Sequence, residues 1–128
     1  MDAIAQATGC VYKGFYSVGR NWIGGIHFVK EHPLFNGLPT NTAMGWPYQA
    51  LVHEGDKRLG FYLEGDEMIV GSYRTTPFCL GSTLGIIPYG KGRIIYSTLD
   101  VVDNLLSQEP AAEVARKLFC NMLSISNW

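Results

Sequence analysis

The stretch GIIPYGKG, residues 85–92, carries Gly85, Gly90 and Lys91 at the spacing of the phosphate-binding loop G-x-x-x-x-G-K-[ST]. That loop works because glycine amides surround an anion, a helix N-terminus follows, and a hydroxyl holds magnesium. Here Gly92 stands where the hydroxyl belongs, and Pro88 removes one amide from the cradle. The residues that follow, RIIYSTL, are β-branched and aromatic, which continues a strand rather than starting a helix. The spacing therefore predicts a β-hairpin whose tip, YGKG, uses glycine to reach positive φ.

Other residues could do chemistry in principle. His27, His32 and His53, with Glu31 and Glu54, suggest a metal or acid–base site. The Glu31-His32 and His53-Glu54 pairs are adjacent in sequence, so in an extended chain their side chains diverge to opposite faces. No H-x-H or H-x-x-x-H spacing gathers ligands locally, and loop histidines are the simpler reading. Cys79 in FCLGS resembles a nucleophile on a strand-to-helix elbow, but Pro77 stands where the elbow needs its first glycine. Glu64, Asp66 and Glu67 cluster at a turn, whereas a glycosidase needs two carboxylates facing each other across a cleft. Trp22, Trp46 and Tyr48, with Tyr73, could stack on sugar rings; packing in the core is the competing use of such rings.

Composition narrows the classes. The 128 residues suit one domain, 47% are hydrophobic and 16% charged, and the formal net charge is −1. That balance gives no electrostatic footprint for nucleic acid, and no basic run suggests a membrane surface. The N-terminal MDAIAQATGC has no basic region followed by a long apolar core, so no signal peptide is visible. Cys10, Cys79 and Cys120 are odd in number and widely spaced, forming neither a disulfide framework nor a zinc motif. Cys120 is expected on the apolar face of a helix. No cofactor is expected.

The elements follow from pattern. CVYKGFYSV reads as a strand, and NWIGGIHFVK as a strand or a Gly-hinged segment. EHPLFNGLPTNTAMGWPYQ is a loop with a helical turn at HPLFNG, and YQALVHE is open between strand and helix. KRLGFYLEGD ends a strand at a Gly-Asp turn, and EMIVGSYRTTPFC is the next strand. Asp100 is expected to cap a short helix through VVDNLLS. Pro110 then opens a final helix, with Ala111, Val114, Ala115, Leu118, Met122 and Ile125 as its apolar stripe and Arg116, Lys117 and Asn121 off it.

Three segments carry a family resemblance: HPLFNGLP at 32–39, YGKGRIIYSTLD at 89–100 and PAAEVARKLFCNML at 110–123. Together they resemble the later part of class I glutamine-amidotransferase-like domains. The closest versions are the trehalose-utilisation (ThuA-like) type and the domains appended to bacterial family 2, β-galactosidase-type, glycoside hydrolases. NWIGGIHFVKEHPLFNGLPTNTAMGWPYQ is similar to the C-terminal region of the latter, and the likeness covers about residues 20–125. The family's G-x-C-x-G elbow and downstream H-x-E pair are missing, so no catalytic residue carries over. The opening β-α-β units of the flavodoxin-like fold are missing too, so the resemblance implies the C-terminal piece of a larger carbohydrate-active protein.

The expectation is thus an α/β domain over residues 1–128. Its mixed, largely antiparallel sheet runs from about residue 10 to 98 under a C-terminal helix, as a truncated flavodoxin-like domain. The resemblance implies a non-catalytic accessory or assembly domain of a glycoside hydrolase. Its partners would be the rest of that enzyme or further copies of the chain, because a shortened sheet exposes edges and apolar side chains. A carbohydrate-binding module using Trp22, Trp46 and Tyr48 is the alternative, and a small hydrolase using Cys79 or the histidines is the third. No compartment follows, except that a larger secreted hydrolase would place the chain in the periplasm or outside the cell.

Overall fold

A computed structural model describes residues 1–18, 25–52, 59–75 and 78–125. Among these described residues seven strands make one sheet: β1 (Val11–Ser17), β2 (Gly25–Val29), β3 (Thr42–Ala43), β4 (Leu59–Glu64), β5 (Glu67–Thr75), β6 (Phe78–Tyr89) and β7 (Gly92–Ser97). The order is β1-β4-β6-β5-β2-β3, and every described pairing is antiparallel. Strand β6 is long enough to carry β5 along one edge and both β4 and β7, one after the other, along the opposite edge. The expected antiparallel sheet under a C-terminal helix is what forms.

The hairpin at GIIPYGKG is present. Tyr89 pairs with Gly92 and Pro88 with Arg93, leaving Gly90 and Lys91 as a two-residue tip. Gly90 has φ of 56°, the left-handed value that such a turn requires. Strand, not helix, begins at Gly92, so those amides enter a ladder instead of a phosphate cradle.

Register fixes two faces. Residues Tyr16, Gly60, Gly81, Ser72 and His27 belong to one face, joined further along by Val29, Val70, Leu84 and Ile86. Over that second part lie α2 (Gln49–Val52), α3 (Glu113–Ser124) and the 3-10 turn Pro33–Phe35, whose Leu34, Phe35, Leu51, Val114, Ala115 and Leu118 share one buried core with the strands. Pairing skips Ile69 on β5 and Thr83 on β6, extra residues that bend and twist the strands. Ile69 falls into the same core.

The first part of that face is held by one side chain. Tyr16 lies across Gly60 of β4 and Gly81 of β6, and its hydroxyl donates to the Ser72 carbonyl of β5 at 2.7 Å. It thereby crosses from one edge of the sheet to its centre. The ring fits only because the strands beneath it present glycines.

On the opposite face, α1 (Asp2–Thr8) brings Met1 and Ile4 against Cys10, Phe61, Leu63, Ile87, Ile94 and Tyr96. Tyr96 hydrogen-bonds Ser82 on β6 and donates to Asp66 Oδ2 at 2.5 Å in the β4–β5 turn. Burial, followed by the bond to Asp66, pushes the Tyr96 phenol far above its usual range, so it stays a donor. Changing Tyr96 to Phe is expected to lower folding stability by about 1–3 kcal/mol, read from urea midpoints, because Ser82 loses a buried partner.

Several sequence expectations need correction. Helix α1 was not anticipated, since DAIAQAT has no apolar period long enough to announce it. VVDNLLS gives one 3-10 turn, Val102–Asn104, and Val101 rather than Asp100 precedes it. The final helix begins with a tight 3-10 turn, Pro110–Ala112, which shifts the phase so that Ala112 is buried and Ala111 exposed. Cys120 is exposed, because six residues beyond Val114 the helix has turned it away from the stripe. Among the described residues no helix is long and apolar enough to cross a membrane.

Candidate functional site

The HPLFNGLP loop is built onto α3. His32 caps the Pro33–Phe35 turn, its Nδ1 accepting from the Leu34 amide at 3.1 Å. Leu34 and Phe35 are buried, and Phe35 meets Tyr48 edge-on with centroids 5.9 Å apart. From the helix, Asn121 Nδ2 donates to the carbonyls of Leu34 at 2.8 Å and Asn36 at 3.1 Å. Lys117 Nζ donates to the Gly37 carbonyl at 3.1 Å. Two residues expected merely to lie off the apolar stripe thus make a polar seam that clamps the loop. Between loop and helix a cleft of about 610 Å³ opens to solvent.

His32 links this loop to the sheet. Its Nε2 lies 3.5 Å from Glu67 Oε1, and its side chain is only 9% exposed. Desolvation lowers its pKa below the ordinary value of 6.5, against the opposing pull of Glu67. The folded state therefore favours neutral imidazole, and the unfolded chain takes up the proton first as pH falls. Stability is fully present above about pH 6.5 and declines below it. Urea denaturation at pH 7.5 and 5.5 checks this: the wild type loses stability at the lower pH, and His32→Asn, which keeps a capping oxygen, loses less.

The second feature is a sheet face that the described residues leave largely uncovered. Register places Phe15, Phe61, Ser82, Gly71, Phe28 and Ala43 in one row across six strands, with Leu80, Tyr73 and Ile26 in the next row on the same side. Helix α1 reaches only the end of this face near Tyr96. Phe15 is 62% exposed, Leu80 54% and Phe28 45%, and Phe28 stacks on Tyr73 with centroids 5.8 Å apart. Lys13 and Glu64, an exposed ion pair, stand at its rim beside Asp66.

The residues singled out in the sequence scatter. Trp46 is 82% exposed, whereas Tyr48 is fully buried and its hydroxyl donates to the Pro39 carbonyl, so it offers no ring face to a sugar. Burial pushes the Tyr48 phenol up to about 12. Trp22, His53 and Glu54 lie outside the described residues. His27 is buried in β2 opposite Ser72, while His32 belongs to the loop. The three carboxylates of the β4–β5 turn take separate partners: Glu64 with Lys13, Asp66 with Tyr96, Glu67 with His32. Among the described residues no group of three His, Cys, Asp or Glu side chains could hold a metal ion.

Cys79 sits beside Arg74, whose Nη2 is 3.5 Å from its sulfur, and it hydrogen-bonds Tyr62. That bond, with burial, pushes the Tyr62 phenol up to about 12. Neither a guanidinium nor such a phenol can remove a thiol proton near neutrality. Cys10 is buried with its thiol donating to the Glu64 carbonyl at 2.9 Å, and burial raises its pKa.

No protein-family model, curated protein or solved structure matches the chain.

Proposed function

We propose that the chain is a non-catalytic accessory domain of a glycoside hydrolase, serving assembly through the uncovered face of its sheet. The carrying observation is that Phe15, Phe28 and Leu80, in two adjacent rows of one sheet face, stand open to solvent where α1 covers that face only in part. An exposed apolar patch of this kind favours a protein partner. In the isolated chain the partner is a second copy; in a larger carbohydrate-active protein it is the neighbouring domain.

The packing of the three resemblance segments supports the same reading. HPLFNGLP is committed to capping and to the seam with α3, YGKGRIIYSTLD to the hairpin, and PAAEVARKLFCNML to the core. The finer reading, a truncated flavodoxin-like domain, rests on that resemblance alone: the flavodoxin-like core is a parallel sheet, and the pairings described above are antiparallel. The carbohydrate-binding alternative keeps Trp46 and loses Tyr48.

Hydrolysis of aryl glycosides by the purified chain, abolished by changing one carboxylate, would overturn the non-catalytic reading. The assembly itself is tested by light scattering. Association that grows with concentration, and that disappears in Leu80→Lys while circular dichroism is unchanged, is the expected outcome.

A further inference from the structure

We infer that the cleft between the HPLFNGLP loop and α3 is a binding site for a polyhydroxylated ligand of mono- or disaccharide size. Its volume of about 610 Å³ lies within the range of small-molecule sites. The polar part of its lining is Glu31, His32, Asn36, Thr40, Asn121 and Ser124, most of them acceptors or hydroxyls, with His32 committed to its cap and to Glu67. Glu31 and Asn36 are exposed to solvent. The Asn121 amide nitrogen is committed to the loop carbonyls, which leaves its oxygen as the group able to meet a ligand. The apolar part comes from Pro33, Leu38 and Ile125.

Such a lining selects by chemistry. A carboxylate among acceptors disfavours anions, and Lys117, a cation on the helix side of the cleft, is turned onto the Gly37 carbonyl. A purely apolar ligand would strip water from Glu31 and Asn36 without replacing its hydrogen bonds. A ring carrying several hydroxyl donors on its edge and C–H groups on its face satisfies both halves of the wall. The loop is already clamped by the His32 cap and by Asn121 and Lys117, so little ordering opposes binding. The inference needs neither the sheet face nor any assembly partner.

The test is a ¹H–¹⁵N NMR titration of the whole chain with methyl β-galactopyranoside and with lactose, and separately with inorganic phosphate. Saturable shifts at residues 31–40 and 121–125 with a sugar, absent with phosphate, are expected, with Kd in the range of about 1 mM. Glu31→Gln and Asn36→Ala, both exposed positions, are each expected to weaken the sugar about fivefold while leaving the remaining spectrum in place. No saturable sugar shift, shifts centred on Trp46, or equal shifts with phosphate would overturn the assignment. Because the readout is local to the cleft, its failure leaves the light-scattering test of assembly untouched, and the reverse holds too.

Discussion

Replacing Gly81 with alanine is expected to lower folding stability by about 3 kcal/mol, a large fraction of what a small domain has. A Cβ at this position would stand 2.6 Å from the Phe61 carbonyl oxygen and 2.8 Å from Tyr16 Cε1. The first contact is with backbone of the neighbouring strand, so no rotamer change relieves it. The β4–β6 pairing must shift, and the Tyr16 hydroxyl must then leave Ser72. Gly60→Ala gives a contrast, because the neighbours of its Cβ are atoms of the Tyr16 side chain. Removing that ring with Tyr16→Ala should relieve the clash in Gly60→Ala and not the one in Gly81→Ala. Denaturant midpoints of the two double variants read the difference. A Gly81→Ala protein as stable as the wild type would mean that β4 and β6 do not meet at Phe61 and Ser82.

Leu118→Ala is expected to cost about 2–5 kcal/mol, with a fall in Tm of many degrees. Leu118 is fully buried and belongs to the core that joins α3 to Ile69, Val70, Leu84 and Ile86. Truncation removes its apolar contacts and leaves a cavity that the sheet, fixed by its ladder, cannot close. Leu123, on the same helix but 68% exposed, is the control: its alanine variant should stay within about 0.5 kcal/mol of wild type. Calorimetry or thermal circular dichroism on the pair would show it.

What was legible in the sequence was local. The YGKG hairpin and the β4–β5 turn announced themselves because glycine, β-branched runs and strand lengths act over a few residues. The α3 stripe was readable from Val114 onward; it failed at Ala111 because a 3-10 start changes the helical phase, and at Cys120 because six residues of regular helix beyond Val114 turn that side chain off the stripe. The long reach of Tyr16 over two glycines was not readable, since it depends on β1, β4, β6 and β5 being neighbours in that order. Nothing in the sequence distinguishes that tyrosine from Tyr12 or Tyr62.

The candidate site was less legible than the fold. Trp46 and Tyr48 are two residues apart, yet one is open to water and the other sealed under Pro39, a difference set by how the turn Trp46–Tyr48 docks on Phe35. The cleft has no sequence signature because Glu31, Asn36 and Asn121 form no motif; only the docking of α3 onto the loop brings them together. The exposed face was foreseeable in kind, as the apolar side chains a shortened sheet leaves open, but Phe15, Phe28 and Leu80 share it only through cross-strand register.

Whether that face binds another protein surface decides the function proposed for this chain. Sedimentation velocity of the wild type and of a Phe28→Lys, Leu80→Lys double variant, at concentrations up to about 0.2 mM, addresses it most directly. The expected result is a wild-type sedimentation coefficient that climbs with concentration and a folded double variant that stays monomeric. A wild type that sediments as a monomer across the whole range would contradict it.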